Sequence, residues 1–288
     1  MKNPVRYYNI SIAFLLMTAV NVQSIAQEAA IDIEIPSNKA VIKGTLLTPD
    51  KNKKLPVVII VPGSGRQVRK DFEGMVKFLF SGLDIAAFIY DKRGLGESTG
   101  IFKAPVAKTS KKLFRQRAKD VAAIVKTLRN SPYIAPDKIG LLGSSQGAWI
   151  ITMVAGKDKE IAFIVSVSGA ASSVGVSDYY DDIAEKEPSI EMAIAKLKDY
   201  KGVQGFDPYS SIKNMECPAL WIYGGQDKSN PTDWDISIIN GIKKKYSKEF
   251  HINLYPDYDH ELIDTSTGKL GDKFVPDLRN WITNIVKE

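Results

Sequence analysis

The pentapeptide Gly143-Ser144-Ser145-Gln146-Gly147 lies directly after the apolar run Ile139-Gly140-Leu141-Leu142 and directly before a second one, Ala148-Trp149-Ile150-Ile151. That placement dictates a buried strand, one sharp turn and a helix in immediate succession. The letters alone say little, because glycine and serine are abundant enough for G-x-S-x-G to recur by accident. The context says more. A turn this tight presses the residues two places either side of the central serine against neighbouring backbone, and glycine at both places removes the side chain that would collide. Ser145 is left exposed at the carboxyl end of the strand, with the Gln146 amide beneath it.

The rest of the chain supplies a frame for this turn. Ile31-Asp32-Ile33-Glu34-Ile35 alternates as a half-buried strand does, and 40–47 continues as a second strand around Gly44, so the two read as an antiparallel edge. From Val57-Val58-Ile59-Ile60-Val61 and Ile85-Ala86-Ala87-Phe88-Ile89-Tyr90 onward the apolar runs are unbroken, which suits strands covered on both faces. Helical spacing over 72–80 separates those two strands. A helix over about 113–129, the elbow strand from Lys138 and a helix from Ala148 follow, then strands over 163–167, 219–223 and 250–255 with helices near 234–245 and 273–286. Strand and helix in turn predict an α/β fold with a mostly parallel central sheet and helices on both faces. The segment 172–215 breaks this rhythm. It has no strand pattern, carries the patch Asp178-Tyr179-Tyr180-Asp181-Asp182, and shows helical spacing over 189–200. Structureless connections of that length are uncommon, so it reads as a helical lid inserted over the carboxyl edge of the sheet.

At the start of the chain, Lys2 and Arg6 precede an apolar run over 10–20, and Ser24-Ile25-Ala26 places small residues where a signal peptidase inspects. Residues 1–26 therefore read as a cleaved secretory signal before a domain over 27–288, with a retained anchor as the alternative. The run is well short of the roughly 20 residues a membrane span needs. The expectation is an exported protein, periplasmic or secreted in a bacterium, without stable membrane association once the signal is removed. The formal charge of +6 falls to +4 without Lys2 and Arg6, and the basic residues are interspersed with acids except for a richer stretch over 108–119. No nucleic-acid motif accompanies it, so no nucleic-acid partner is expected. Cys217 is the one cysteine, has no disulfide partner, and reads as a small buried hydrophobe before an apolar strand.

Several further motifs each follow a strand. They are Pro62-Gly63-Ser64-Gly65, Asp91-Lys92-Arg93-Gly94-Leu95-Gly96-Glu97-Ser98, Gly224-Gly225-Gln226-Asp227 and Asp257-Tyr258-Asp259-His260. In this order, with the elbow at Ser145, the chain resembles the α/β-hydrolases over about 40–288. It is similar in particular to bacterial serine esterases with a Gly-Ser-Gly oxyanion loop and an Asp-x-Arg-Gly-x-Gly-x-Ser turn, relatives of the serine aminopeptidase and prolyl-oligopeptidase-like hydrolases. The resemblance implies an α/β-hydrolase fold and an acyl-enzyme mechanism without metal or organic cofactor. It also implies that the Asp91 to Ser98 turn is mainly architectural.

The same site follows from chemistry. A serine hydroxyl needs a base, and the chain has two histidines. His251 falls inside an alternating strand, whereas His260 falls in the polar loop beyond it, where α/β sheets carry their sites. The acid that orients the imidazole should lie between serine and histidine in chain order, which favours Asp227 at a strand end. Asp233 and Asp235 fall in the next helix, and Asp257 and Asp259 sit close enough to His260 to shape its loop. The oxyanion donors are the Gln146 amide and, from the loop, Ser64. Pro62 stands where many lipases place a histidine. Arg66, Gln67 and Arg69 follow as possible contacts for an anionic substrate, with solvated loop charge as the alternative.

These residues predict a serine carboxylesterase-type hydrolase acting on a small-molecule ester, with Tyr179 and Tyr180 as walls of the substrate site or as packing inside the lid. Peptidases share the triad, and Asp178, Asp181 and Asp182 keep an aminopeptidase-like anchor for a free amine open. A non-catalytic binding protein on this scaffold would be expected to lose one of the three residues. Acyltransfer to an acceptor other than water shares every feature named, and the oligomeric state is not legible.

Overall fold

Strand β3 (Leu55–Val61) shows why the sheet is covered on both sides: Val57, Ile59 and Val61 enter one apolar cluster, Val58 and Ile60 the other, and all five are buried. The computed structural model describes residues 29–287, and the signal read over 1–26 lies outside them. Besides β3, the strands are β1 (Ala29–Ser37), β2 (Ala40–Thr48), β4 (Ala86–Tyr90), β5 (Ile134–Ser144), β6 (Phe163–Val167), β7 (Ala219–Gly224) and β8 (Phe250–Tyr255). Their order across the sheet is β1-β2-β4-β3-β5-β6-β7-β8. The hairpin of β1 and β2 is antiparallel and joins β4 antiparallel, and every pairing from β4 to β8 is parallel. The fold is that of an α/β-hydrolase.

Helices α1 (Glu73–Phe80) and α8 (Phe274–Ile285) cover one face, where Val76, Leu79, Leu278 and Ile282 meet Val58, Ile60 and Leu220. On the other face lie α2 (Ala107–Arg129), α3 (Gln146–Ala155) and α7 (Thr232–Tyr246), whose Phe114, Val121, Trp149 and Ile239 meet Val57, Ile59 and Trp221. Helix α2 begins at Ala107 rather than near Leu113. Its first turn lacks an apolar stripe, but Thr109 Oγ1 accepts the Val106 N–H at 3.2 Å and starts the helix there. Cys217 is buried, and burial pushes its thiol up to about 12.

Residues 172–215 form α4 (Val174–Ala184), α5 (Ile190–Lys196), a 3₁₀ turn at Leu197–Asp199 and α6 (Tyr209–Asn214), with no strand. Ser173 and Ser189 cap α4 and α5 by accepting the Val176 and Met192 N–H groups, each at 3.3 Å. Tyr180, Ala184, Ala193 and Leu197 make a small core of their own. A short hairpin, β9 (Ile263–Asp264) with β10 (Lys269–Leu270), follows the last long strand.

The 91–98 turn locks the antiparallel edge to α2. Arg93 Nε donates to Asp120 Oδ2 at 3.0 Å, its Nη2 to the Ser37 carbonyl at 2.8 Å, and Ser37 Oγ donates to Asp120 Oδ1 at 2.6 Å. Asp120→Ala leaves a largely buried guanidinium without its carboxylate, a change that costs about 3–5 kcal/mol. The expected outcome is a lower urea midpoint with unchanged far-ultraviolet circular dichroism. An unchanged midpoint would show that the edge does not depend on this pair.

Candidate active site

Steric exclusion builds the elbow. At Gly147 an added Cβ would sit 2.3 Å from the Val61 carbonyl oxygen of β3, and at Gly143 it would sit 2.6 Å from the Gly147 carbonyl carbon. The helix therefore starts hard against the neighbouring strand. Ser145 takes φ 50° and ψ −119°, a region that side-chain-bearing residues rarely occupy, and its N–H donates to the Val167 carbonyl at 2.9 Å. The strain is held from both sides of β5 and presents the hydroxyl at the carboxyl edge. Gln146 N–H belongs to the first turn of α3, whose donors have no acceptor within the helix. Arg117 of α2 hydrogen-bonds the Gln146 Oε1, so the side chain of that residue is fixed as well.

The loop after β3 lies beside the serine. A Cβ added to Gly63 would be 3.6 Å from Ser145 Cβ. Among the described residues, the Ser64 N–H makes no hydrogen bond, and with Gln146 N–H it forms a pair of free donors near the elbow. Asp91, buried at the end of β4, accepts the Arg69 N–H at 2.8 Å and the Glu97 N–H at 3.0 Å, tying the loop after β3 to the 91–98 turn. Arg69 pairs with Asp91 and Glu97, and Arg66 lies 5.3 Å over the Phe102 ring, so Arg69's charge is already partnered within the protein.

Asp227 and His260 meet at 2.8 Å between Oδ2 and Nδ1. Asp227 has no exposed surface, and its Oδ1 accepts the N–H groups of Ser229 and Asn230, each at 2.7 Å. Those bonds give the buried oxygen two backbone donors and fix the orientation of the carboxyl group. Asn230 in turn donates to the Ser168 carbonyl at 2.7 Å and accepts from Ser177 Oγ at 2.7 Å, linking the acid loop to the end of β6 and to α4. Burial of the imidazole disfavours its cation, yet Asp227 outweighs it by charge and hydrogen bond, with help from Glu261 and Asp181, and His260 is raised to about 9. Ser145 and His260 line one cavity of about 80 Å³ with Met75, Leu79, Leu142, Ser168, Glu261 and Phe274. No hydrogen bond joins Ser145 Oγ to the imidazole among the described residues; such contacts often close only when substrate is present.

The other sequence candidates fall elsewhere. His251 is exposed on β8, edge-on to Trp281 at 6.2 Å. Asp233 and Asp235 sit in the first turn of α7, where buried Asp235 accepts the Ser172 N–H at 2.7 Å and burial raises its carboxyl to about 7. Asp259 accepts the N–H groups of Glu261 and Ile263, each at 2.9 Å, and so shapes the histidine loop. Tyr180 is completely buried in the lid core and donates its hydroxyl to the Asp227 carbonyl at 2.9 Å, while Tyr179 stacks on Tyr200 at 5.0 Å. Neither tyrosine is among the residues lining the cavity that holds Ser145, since the amphipathic helix turns Tyr180 inward and leaves Tyr179 to a partner in the lid. Sequence reading missed Asn230, Arg117 and Lys92. Among the described residues, no group of three or more His, Cys, Asp or Glu is placed to hold a metal ion, and no helix is long and apolar enough to cross a membrane.

A strained serine at the strand-to-helix elbow after β5, with a buried acid beyond β7 and a histidine beyond β8, is an arrangement that fits the α/β-hydrolase fold. The chain belongs to the prolyl oligopeptidase family, whose model matches residues 71–287. It is 26% identical over 192 residues to a thiohydrolase of Arthrinium phaeospermum, a match covering 66% of this chain and 58% of that one. It is 23% identical over 162 residues to an uncharacterized peptidase of Bacillus subtilis, covering 55% of this chain and 24% of that one. In fold it is similar to an acylaminoacyl peptidase of Pyrococcus horikoshii, with a TM-score of 0.69, 15% identity, and 94% and 44% of the two chains covered. A Pyrococcus furiosus esterase gives a TM-score of 0.65 at 16% identity, covering 94% and 95%.

The histidine shift has a sign that two measurements read. With its folded value raised to about 9 against an ordinary 6.5, protonated His260 stabilises the fold fully below pH 6.5, and that contribution is lost as pH rises through about 9. Nuclear magnetic resonance titration should place the His260 imidazole near pH 9, and Asp227→Asn should lower it. A value at or below 6.5 in the unsubstituted protein would remove the Asp227 contact from solution. Separately, Gly147→Ala should lower both the melting temperature and the yield of folded protein, because the added methyl enters the Val61 carbonyl.

Proposed function

We propose that this chain is a serine carboxylesterase-type hydrolase that cleaves small-molecule esters through an acyl-enzyme. The observation that carries the reading is the 2.8 Å contact of buried Asp227 with His260, whose imidazole shares a cavity with the strained Ser145. Neutral His260 takes the Ser145 proton as Oγ attacks the carbonyl carbon, and Asp227 stabilises the imidazolium. The N–H groups of Gln146 and Ser64 receive the developing oxyanion. His260 then gives the proton to the leaving alcohol, and water repeats the sequence to release the acid. Only the neutral imidazole accepts a proton, so kcat/KM should climb with pH toward about 9.

Met75, Leu79, Leu142, Phe274 and Leu278 line the cavity with apolar surface, which suits the hydrocarbon part of an ester. Similar proteins named as an esterase, a thiohydrolase and peptidases support a hydrolase reading. A peptidase reading draws on the carboxylates near the imidazole, since Asp181 and Glu261 both act on His260 and would suit a substrate ammonium. We also propose export to the periplasm or medium, on the charge and apolar pattern of residues 1–26.

A fluorophosphonate should label Ser145, and Ser145→Ala should lower turnover of aryl acetate by about 10⁴-fold or more while the protein stays folded. Failure of the probe to react would favour a non-catalytic binding protein. Across aryl esters from acetate to long acyl chains, Leu79→Trp should depress kcat/KM for the longer members most, because Leu79 lines the cavity that holds Ser145. Faster cleavage of aminoacyl anilides than of any ester would replace the esterase reading with the peptidase one.

A further inference from the structure

Lys92 is the second residue of the 91–98 turn and retains only 5% of its exposure. Its Nζ donates to three successive backbone carbonyls, Gly63 at 2.6 Å, Ser64 at 3.2 Å and Gly65 at 2.9 Å. Among the described residues no carboxylate forms an ion pair with it. An ammonium has three N–H donors and no acceptor, so the three carbonyls take up its whole hydrogen-bonding capacity. Burial pulls its pKa well below the ordinary lysine value, and Arg117 adds to that, opposed by Asp71. The carbonyl dipoles are therefore the chief partners of the buried Nζ, whose burial opposes its charge.

We propose that Lys92 is the positioning residue of the oxyanion loop, turning the Gly63, Ser64 and Gly65 carbonyls to one side so that the Ser64 N–H is presented to the substrate's carbonyl oxygen. The inference rests on the acyl-transfer reading above. The geometry behind it is that of the peptide group: in a trans peptide the C=O and the following N–H point in opposite directions. Fixing the Gly63 carbonyl on Nζ thus aims the Ser64 N–H away from Lys92, and Gly63 abuts Ser145. A loop with Gly65 at φ 76° and glycines on both sides of Ser64 has little intrinsic preference for this orientation. Without Nζ the three peptides would be free to rotate their carbonyls toward solvent, and the donor would be lost from the site. Lys92 itself need not touch the substrate.

The test uses the full chain carrying Lys92→Met, which keeps the length of the side chain and removes every donor. Two readouts are made: the backbone amide resonances of Ser64 and Gly65 in the free protein, and steady-state hydrolysis of an aryl acetate. The proposal expects both resonances to move and their hydrogen exchange to accelerate by about tenfold or more. It also expects kcat to fall by roughly 10²–10³, the cost of one oxyanion donor, with KM changed by less than about threefold. Unmoved amide resonances, or a folded variant whose kcat is kept while KM rises, would overturn it. If the methionine variant fails to fold, Lys92→Ala is assayed with added butylammonium, which should restore kcat by about tenfold through the vacated channel. Absence of rescue in a folded alanine variant with unmoved amides counts against the proposal. Should the unsubstituted protein neither hydrolyse the ester nor react with a fluorophosphonate, the esterase reading fails on its own, and the amide resonances still decide the role of Lys92.

Discussion

Asp227 has no exposed surface, and a carboxylate so placed must be surrounded by donors or give up its charge. The surrounding structure is arranged to supply them. Two N–H groups of its own loop and the imidazole of His260 meet its oxygens, the Tyr180 hydroxyl meets its carbonyl, and Asn230 carries the network on to Ser168 and Ser177. Strand ends β6 and β7, helix α4 and the loop after β8 are thereby fixed relative to one buried charge. The lid is part of that network through the phenol of Tyr180, so its order and the placement of the acid are one problem.

A second constraint is steric and acts on the other side of the site. Gly147 and Gly143 let α3 begin against β3 and β5 with no side chain intervening, and the resulting crowding holds Ser145 at a positive φ. The acid network supplies charge and the elbow supplies strain, and they meet at one cavity because β5 lies between β3 and β6 in the sheet. Loops that are far apart in sequence converge there, with Gly63, Ser145, Asp227 and His260 each at or just beyond a strand's carboxyl end.

What could be read from the sequence divides along the range of the interaction. The parallel strands were legible because burial on both faces demands apolar residues at every position, and β6 and β8 match the predicted 163–167 and 250–255. The elbow was legible because its glycines answer a local collision. The histidine and acid could be ranked because strand ends are visible in sequence. Tyr180 was not legible as a partner of Asp227, since an aromatic residue on an acidic helix fits a pocket wall as well as a packed interior. Lys92 was harder still. Its partners lie 27 to 29 residues earlier, are backbone carbonyls, and leave no mark on composition or periodicity. The early start of α2 was missed for a related reason: the Thr109 contact with Val106 starts a helix before any apolar stripe begins.

The order of Ser145, Asp227 and His260 along the chain has a bearing on biosynthesis. A polypeptide emerging from the ribosome acquires its hydroxyl well before the residues able to deprotonate it, and the imidazole arrives only with the strand that completes the sheet's far edge. On the proposed mechanism, nascent intermediates carry an inert alcohol rather than a loosely held nucleophile. The chain order itself therefore withholds the base from the hydroxyl until the last strand of the sheet is made.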